Sequence, residues 1–164
     1  MSAARQTRLY AALALIYTLE GNLSMAISPS IKTKELAHEN NLDLAESWGK
    51  YNEALILFNQ GKFKNSRTYF SELTEKKTNA HNRVVADSFV ARLLDLQISG
   101  QHNKLEEITD QFIKFSANRN DASVNLVLHS TQARLALLQG DLDAAIQFMR
   151  MVDIDADQGM MLFW

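Results

Sequence analysis

Four of the six glycines in this 164-residue chain recur at nearly equal spacing. They are Gly21, Gly61, Gly100 and Gly140, so consecutive members are 40, 39 and 40 residues apart. Each lies between two stretches of helix-forming residues, as residues 137–145 illustrate. Glycine directly after a helix supplies the left-handed residue with which helices commonly end. A fixed period of this length is typical of stacked helical repeats, so the spacing predicts a series of helical hairpins.

The composition favours the same architecture. The chain has one proline, and no segment alternates apolar and polar residues for long enough to predict a β-strand. We therefore predict an all-α solenoid of about four antiparallel hairpins in one domain, residues 1–164. The predicted helices cover residues 3–20, 22–38, 43–60, 62–77, 80–99, 103–117, 121–139 and 141–152. The corresponding repeats lie near 3–40, 43–78, 80–117 and 121–156, and a fifth begins at 157–164.

Small residues recur at fixed distances from the turn glycines. Seven positions before the glycine, the first helix of a hairpin (the A helix) carries Ala14, Ala54 or Ala133. Five positions after it, the second helix (the B helix) carries Ala26, Ser66 or Ala145. Such residues let two helices approach closely. The third repeat departs from this pattern, because its apolar stripe begins at Leu105, and we expect its turn to be three residues longer.

Helix-start residues support these boundaries. Asp121 and Asp141 precede predicted helices and can cap them, and Asp43 and Asn103 each begin a pattern that resembles a capping box. Pro29 falls inside the first B helix, which predicts a kink or a break near Ser28, since proline lacks the amide hydrogen.

The hairpins resemble those of tetratricopeptide repeats, in which small residues stand on both sides of the turn. The period of about 40 residues exceeds the 34 of that family, and no proline ends the repeats. The longer period, together with residues 133–142 and 161–164, resembles the repeat region of the large MalT-like, LuxR-type transcription regulators. In that family an ATPase module precedes the repeats and a helix-turn-helix module follows them. The resemblance implies a sensor or interaction segment.

The residues do not point to catalysis or to a cofactor. The sequence lacks a phosphate-binding G-x-x-x-x-G-K-[ST] motif and a G-x-S-x-G nucleophile motif. It has no cysteine, and no two of its histidines lie three or four positions apart, which argues against a metal site. We therefore expect a chain that is not an enzyme and holds no metal or cofactor.

Charge and hydropathy limit the partners and the location. A net charge of −2 and the lack of a basic recognition helix predict no direct contact with nucleic acid. The apolar run at residues 9–19 is too short to span a membrane. It could instead belong to a signal peptide with a cleavage site at Ser24-Met25-Ala26, although it also fits the repeat pattern. The absence of cysteine fits a reducing compartment, so we expect a cytoplasmic protein.

The resemblance to tetratricopeptide arrays implies a binding groove along one face of the A helices. Aromatic residues beside isolated charged and polar ones on this face suit a groove for a protein or peptide, or for a small-molecule inducer. The alternative is that these residues pack against the next helix. The predicted groove residues are Arg8, Trp48, Tyr51, Phe58, Asp87, Gln97, Ser130 and Arg134.

Two functional hypotheses follow. The first is the sensor or interaction segment of a bacterial-type transcription regulator, and the second is a tetratricopeptide-type adaptor unrelated to transcription. Residues 160–164 read Met-Met-Leu-Phe-Trp and end without a polar cap, so we expect a piece of a longer array that self-associates through its C-terminal end. The alternative is a complete small protein whose tail packs on its last B helix.

Overall fold

The computed structural model of the chain describes residues 1–75 and 79–152. All regular secondary structure in these two stretches is α-helical, which confirms the all-α class. Each of the eight helices found there begins and ends within a few residues of its predicted bounds. They are α1 (Ala3–Leu19), α2 (Leu23–Glu39), α3 (Asp43–Asn59), α4 (Phe63–Glu75), α5 (Asn82–Ile98), α6 (His102–Arg119), α7 (Ala122–Leu138) and α8 (Leu142–Arg150).

The four glycine turns are built alike, each with three residues between two helices. The glycines have positive φ angles of 74°, 73°, 68° and 82°. In each turn the glycine amide donates to the carbonyl three residues earlier, and the next amide donates to the carbonyl five residues earlier. In the first turn this second bond joins the Asn22 amide to the Tyr17 carbonyl over 2.8 Å. This Schellman arrangement satisfies carbonyls that a helix end leaves unpaired.

Two asparagines extend the same pattern to the connections between hairpins. Asn41 follows α2 with a φ of 53°, and Asn120 follows α6 with a φ of 47°. They lie midway between turn glycines, so Gly21, Asn41 and Gly61 are 20 residues apart, as are Gly100, Asn120 and Gly140. Asparagine is one of the few residues besides glycine that adopt this conformation readily. In residues 21–61 and 100–140 a left-handed residue thus follows a helix every 20 residues, a spacing that the glycines alone did not reveal.

The prediction of a longer third turn is wrong. Helix α6 begins at His102, so Ser99, Gly100 and Gln101 form a turn of the usual length. Leu105 then stands five residues after the glycine and is buried, where other B helices carry a small residue. The partner position on the A helix is the equally buried Leu93. Two large side chains thus replace two small ones. Because of this exchange, the sequence pattern placed the start of the apolar stripe of α6 at Leu105, three residues too late.

The predicted break near Ser28 is also wrong, because α2 continues through Pro29 to Glu39. Pro29 is buried, and one hydrogen bond to α3 and one within α2 lie beside it. The Ser30 hydroxyl donates to the Gly49 carbonyl of α3 over 3.2 Å, and the Thr33 hydroxyl donates to the Pro29 carbonyl over 2.9 Å.

The capping predictions are confirmed for two helices. The Asp121 carboxylate accepts from the Ser123 amide at the start of α7, and the Asp141 carboxylate accepts from the Ala144 amide at the start of α8, both over 2.9 Å. The other two are wrong, since the N-cap residues of α3 and α6 are Leu42 and Gln101, without a side-chain capping bond.

The chain divides into two compact units, Met1–Ser88 and Phe89–Trp164. In the first unit α1 packs against α2 and α3, and α3 also packs against α2 and α4. In the second unit α7 packs against α6 and α8. The small residues on both sides of the turns are buried in these contacts, as predicted: Ala14, Ala26, Ala54, Ser66, Ala133 and Ala145.

None of the helices in residues 1–75 and 79–152 is long and apolar enough to cross a membrane. In the same residues no three acidic or histidine side chains are grouped so as to hold a metal ion. The predicted fifth repeat at 157–164 and the ends of the repeats at 43–78 and 121–156 lie outside the described residues.

Candidate functional site

Two of the predicted groove residues lie in the core of the first unit. Tyr51 is 0% exposed and Asp87 is 2% exposed. The Tyr51 hydroxyl donates to a carboxylate oxygen of Asp87 over 3.3 Å, and Nε of Arg83 donates to both carboxylate oxygens over 3.0 and 3.1 Å. This trio joins α3 to the first turns of α5. Burial places Tyr51 and Asp87 beyond direct contact with a partner in this structure.

The buried position governs the protonation of both groups. Burial raises the pKa of the Asp87 carboxyl, and the neighbouring Arg83 guanidinium and Tyr51 hydroxyl oppose that rise. Burial also raises the pKa of the Tyr51 phenol well above its ordinary value of 10.0, and the Asp87 carboxylate raises it further. The packing of α3 against the start of α5, which buries both groups, is thus the main cause of both raised pKa values.

The predicted aromatic residues of the first unit contact this core. The half-buried Trp48 ring meets Tyr51 edge-on, with centroids 5.8 Å apart, and lies 6.2 Å from His81. The half-buried Phe58 ring lies 5.1 Å from Phe63 and belongs to the same aromatic cluster. Arg8 is exposed on α1. The structure thus joins Trp48, Tyr51 and Asp87 by contacts within the unit.

The remaining predicted residues lie in the second unit. The half-buried Gln97 accepts a hydrogen bond from the side chain of Gln139 over 3.3 Å. Ser130 is half-buried and Arg134 is exposed, one turn apart on α7. A partner-binding role for Arg8, Trp48, Phe58, Gln97, Ser130 and Arg134 stays a prediction.

A groove of about 490 Å³ lies along α6, α7 and α8 in the second unit. Its apolar lining residues are buried or half-buried and form the floor, whereas most of its polar lining residues are exposed and form the rim. The floor consists of Leu105, Leu135, Ala136, Ala144 and Phe148. The rim consists of His102, Glu106, Thr109, Asp110, Gln132, Gln139 and Asp141.

The rim of this α6–α8 groove is acidic. Glu106, Asp110 and Asp141 contribute carboxylates, and no lysine or arginine is among the lining residues. Glu106 and Asp110 are four positions apart on α6 and therefore lie on the same side of the helix. Within the described residues neither has a hydrogen-bond or ion-pair partner, whereas Asp141 caps α8 through the Ala144 amide. The groove lining thus combines an apolar floor with three carboxylates and no lysine or arginine.

A second hollow, of about 200 Å³, lies beside α3 and α4 in the first unit. Three of its four charged side chains are paired, because Nζ of Lys50 lies 3.1 Å from a Glu46 carboxylate oxygen and 3.6 Å from one of Glu72. The fourth, Asp43, accepts a hydrogen bond from the Asn79 side chain over 3.3 Å. The lining contains one apolar residue, Leu73. With its charged groups bonded to neighbouring side chains and a single apolar lining residue, this hollow offers a partner less than the α6–α8 groove does.

The binding face predicted from the sequence lies on the A helices, and that prediction missed the groove that α6 and α8 form with the end of α7. One signal was present in the sequence, namely the two acidic residues four positions apart at Glu106 and Asp110. Like charges at that spacing are unfavourable in a helix and for that reason call for an explanation.

Comparison of the chain with protein-family models, with curated proteins and with solved structures gave no match in any of the three.

Proposed function

We propose that the chain is a non-catalytic interaction segment that binds a protein or peptide in the α6–α8 groove. The observation that carries this proposal is the groove itself. Its volume of about 490 Å³ is in the range of ligand sites, roughly 300–1,000 Å³. A buried apolar floor with an exposed polar rim is also the usual anatomy of a protein–protein contact.

The regular construction of the chain supports a binding role. Helix-and-turn units of one kind, stacked in sequence, give an extended surface, and repeat proteins use such surfaces to bind partners. The stacking of the hairpins into a solenoid is part of this proposal. The recurring left-handed residues at Gly21, Asn41, Gly61, Gly100, Asn120 and Gly140 support it.

We further propose that the interaction segment belongs to a transcription regulator, with the ATPase and DNA-binding activities in other parts of the protein. This step depends on the resemblance of residues 133–142 and 161–164 to the repeat region of MalT-like regulators. A tetratricopeptide-type adaptor is the alternative. The sequence of the full reading frame distinguishes the two hypotheses, since the regulator hypothesis requires a phosphate-binding motif upstream and a helix-turn-helix downstream in the same reading frame.

A random peptide library tests the binding role and needs no partner of defined sequence. We would pan random phage-displayed peptides against the full chain and compare capture by two variants. Ala144→Arg places a large side chain in the groove, whereas Ala117→Arg places the same side chain on an exposed part of α6 outside it. We expect the enriched peptides to bind the wild type and the Ala117→Arg variant, and not to bind the Ala144→Arg variant. Failure to enrich any peptide, or equal capture by the two folded variants, contradicts the proposal.

A further inference from the structure

We infer that the partner of the α6–α8 groove is a cationic amphipathic helix, whose apolar face covers the floor while its lysines or arginines reach Glu106 and Asp110. This inference rests on the proposed binding function and adds the chemistry of the partner. Three features of the groove carry it: the apolar floor, the sign of the rim charge, and the lack of a strand edge in the described residues.

The floor requires an apolar face on the partner. Leu105 and Leu135 are each 5% exposed, and the half-buried Phe148 lies beside them in the groove lining. Apolar side chains of a partner are favoured at this surface, because binding removes both their surface and that of the floor from water. A helix with apolar residues three and four positions apart presents one continuous apolar stripe to such a groove.

The rim requires positive charge. Glu106 and Asp110 repel each other across one turn of α6, and no lysine or arginine of the lining offsets that repulsion. Helix α6 begins at His102, so both residues lie beyond its first turn, which is the part of a helix where the dipole favours an acidic side chain. A cationic partner removes the repulsion, whereas an anionic partner meets three carboxylates.

The helices that surround the groove favour a helical partner. One way for an extended peptide to bind is to add a strand to an exposed sheet edge, and residues 1–75 and 79–152 contain no strand to offer one. A helix satisfies its own backbone hydrogen bonds, so it needs only side-chain contacts with the groove. A helical peptide therefore suits this groove, which offers side chains and no strand edge.

Fluorescence anisotropy with two designed peptides tests the inference. Both are fluorescein-labelled helices with the same leucine and alanine face, and their polar faces carry lysine in one and glutamate in the other. We expect the full chain to bind the lysine peptide at least roughly tenfold more tightly, with a circular-dichroism gain in peptide helicity and weaker binding at high salt. Equal or tighter binding of the glutamate peptide overturns the inference.

Matched variants locate the effect. The double variant Glu106→Lys with Asp110→Lys should no longer bind the lysine peptide. The control, Glu107→Lys with Asp143→Lys, changes the net charge by the same amount at exposed positions outside the lining and should still bind it. An equal loss in both would mean that overall charge drives binding, which overturns the inference. If the peptide library yields groove binders but the lysine peptide does not bind, the partner chemistry is wrong and the proposed function stands. If neither binds, the proposed function fails as well.

Discussion

The Tyr51 hydroxyl donates a 3.3 Å hydrogen bond to the carboxylate of Asp87, a residue 36 positions later in the chain, inside the Met1–Ser88 unit. The side chain of Arg83 donates to the same carboxylate. A buried carboxylate is tolerated when such donors surround it. The trio therefore fastens the start of α5 to α3, and it explains why two residues with the chemistry of a binding site lie in a helix contact instead.

Loss of the Arg83 guanidinium should destabilise the chain most. Arg83→Met leaves the Asp87 carboxylate in the core without its cation, and we expect a loss of about 3–5 kcal/mol in the free energy of unfolding. Tyr51→Phe removes one neutral donor and should cost about 1 kcal/mol. Urea denaturation measures both, with the exposed Arg8→Met as the control. A cost for Arg83→Met no greater than that of the control would contradict the role assigned to the trio.

The raised pKa of Tyr51 predicts a loss of stability in alkali. Burial, and then the Asp87 carboxylate, hold the phenol protonated in the folded chain at a pH where the unfolded chain releases the proton. The folded state then binds more protons, so stability falls as pH rises above the ordinary value of 10.0. Urea denaturation between pH 8 and pH 11 should show a shallower decline for Tyr51→Phe than for wild type. Identical slopes would mean that Tyr51 does not drive the decline.

The small residues beside the turns predict intolerance of larger ones. Ala54 and Ala133 are buried where A helices meet their neighbours, so Ala54→Leu and Ala133→Leu should each cost about 1–3 kcal/mol through overpacking. Ala12→Leu and Ala117→Leu are the matched controls, because both alanines are exposed on helices. Thermal melts provide the comparison, and unchanged melting temperatures in both buried variants would show that the packing face is misassigned.

The turn conformation predicts which residues can replace a turn glycine. Gly61 has a φ of 73° and nothing within 4 Å of where a Cβ would lie, so only backbone strain opposes a side chain there. Asn41 and Asn120 adopt the same region in this chain. Gly61→Val should cost about 1–2 kcal/mol and Gly61→Asn clearly less. Equal losses from the two substitutions in urea denaturation would argue against strain as the cause.

Much of the fold was predictable because it is local. Helix positions follow from residue propensity, and the turns follow from glycines whose left-handed conformation depends on their own backbone. Asn41 and Asn120 show the limit of that reasoning, since asparagine adopts many conformations and its spacing becomes informative only beside the glycines. The third turn was mispredicted because Leu93 and Leu105 exchange small side chains for large ones without changing the backbone.

The site was less predictable because it depends on packing between elements distant in sequence. Gly49 illustrates this point, since a Cβ there would lie 2.8 Å from the Lys34 amide nitrogen, and nothing in the local sequence marks that approach of α2 and α3. In the same way, the spacing of Tyr51 and Asp87 on their A helices did not distinguish a groove from a core. The α6–α8 groove combines residues of three helices. Among these residues, the acidic pair on α6 was the only signal that could be recognised in the sequence.

The most direct test of the central claim is where a bound peptide contacts the chain. Backbone amide chemical shifts of the isotope-labelled full chain, measured by NMR with and without the lysine-faced peptide, would locate the contact. We predict that the largest changes cluster at the groove residues of α6, α7 and α8, with Leu105, Asp110 and Phe148 among them. Changes centred instead on Trp48 and Phe58, or on Ser130 and Arg134, would place the partner on the A-helix face and contradict binding in the α6–α8 groove.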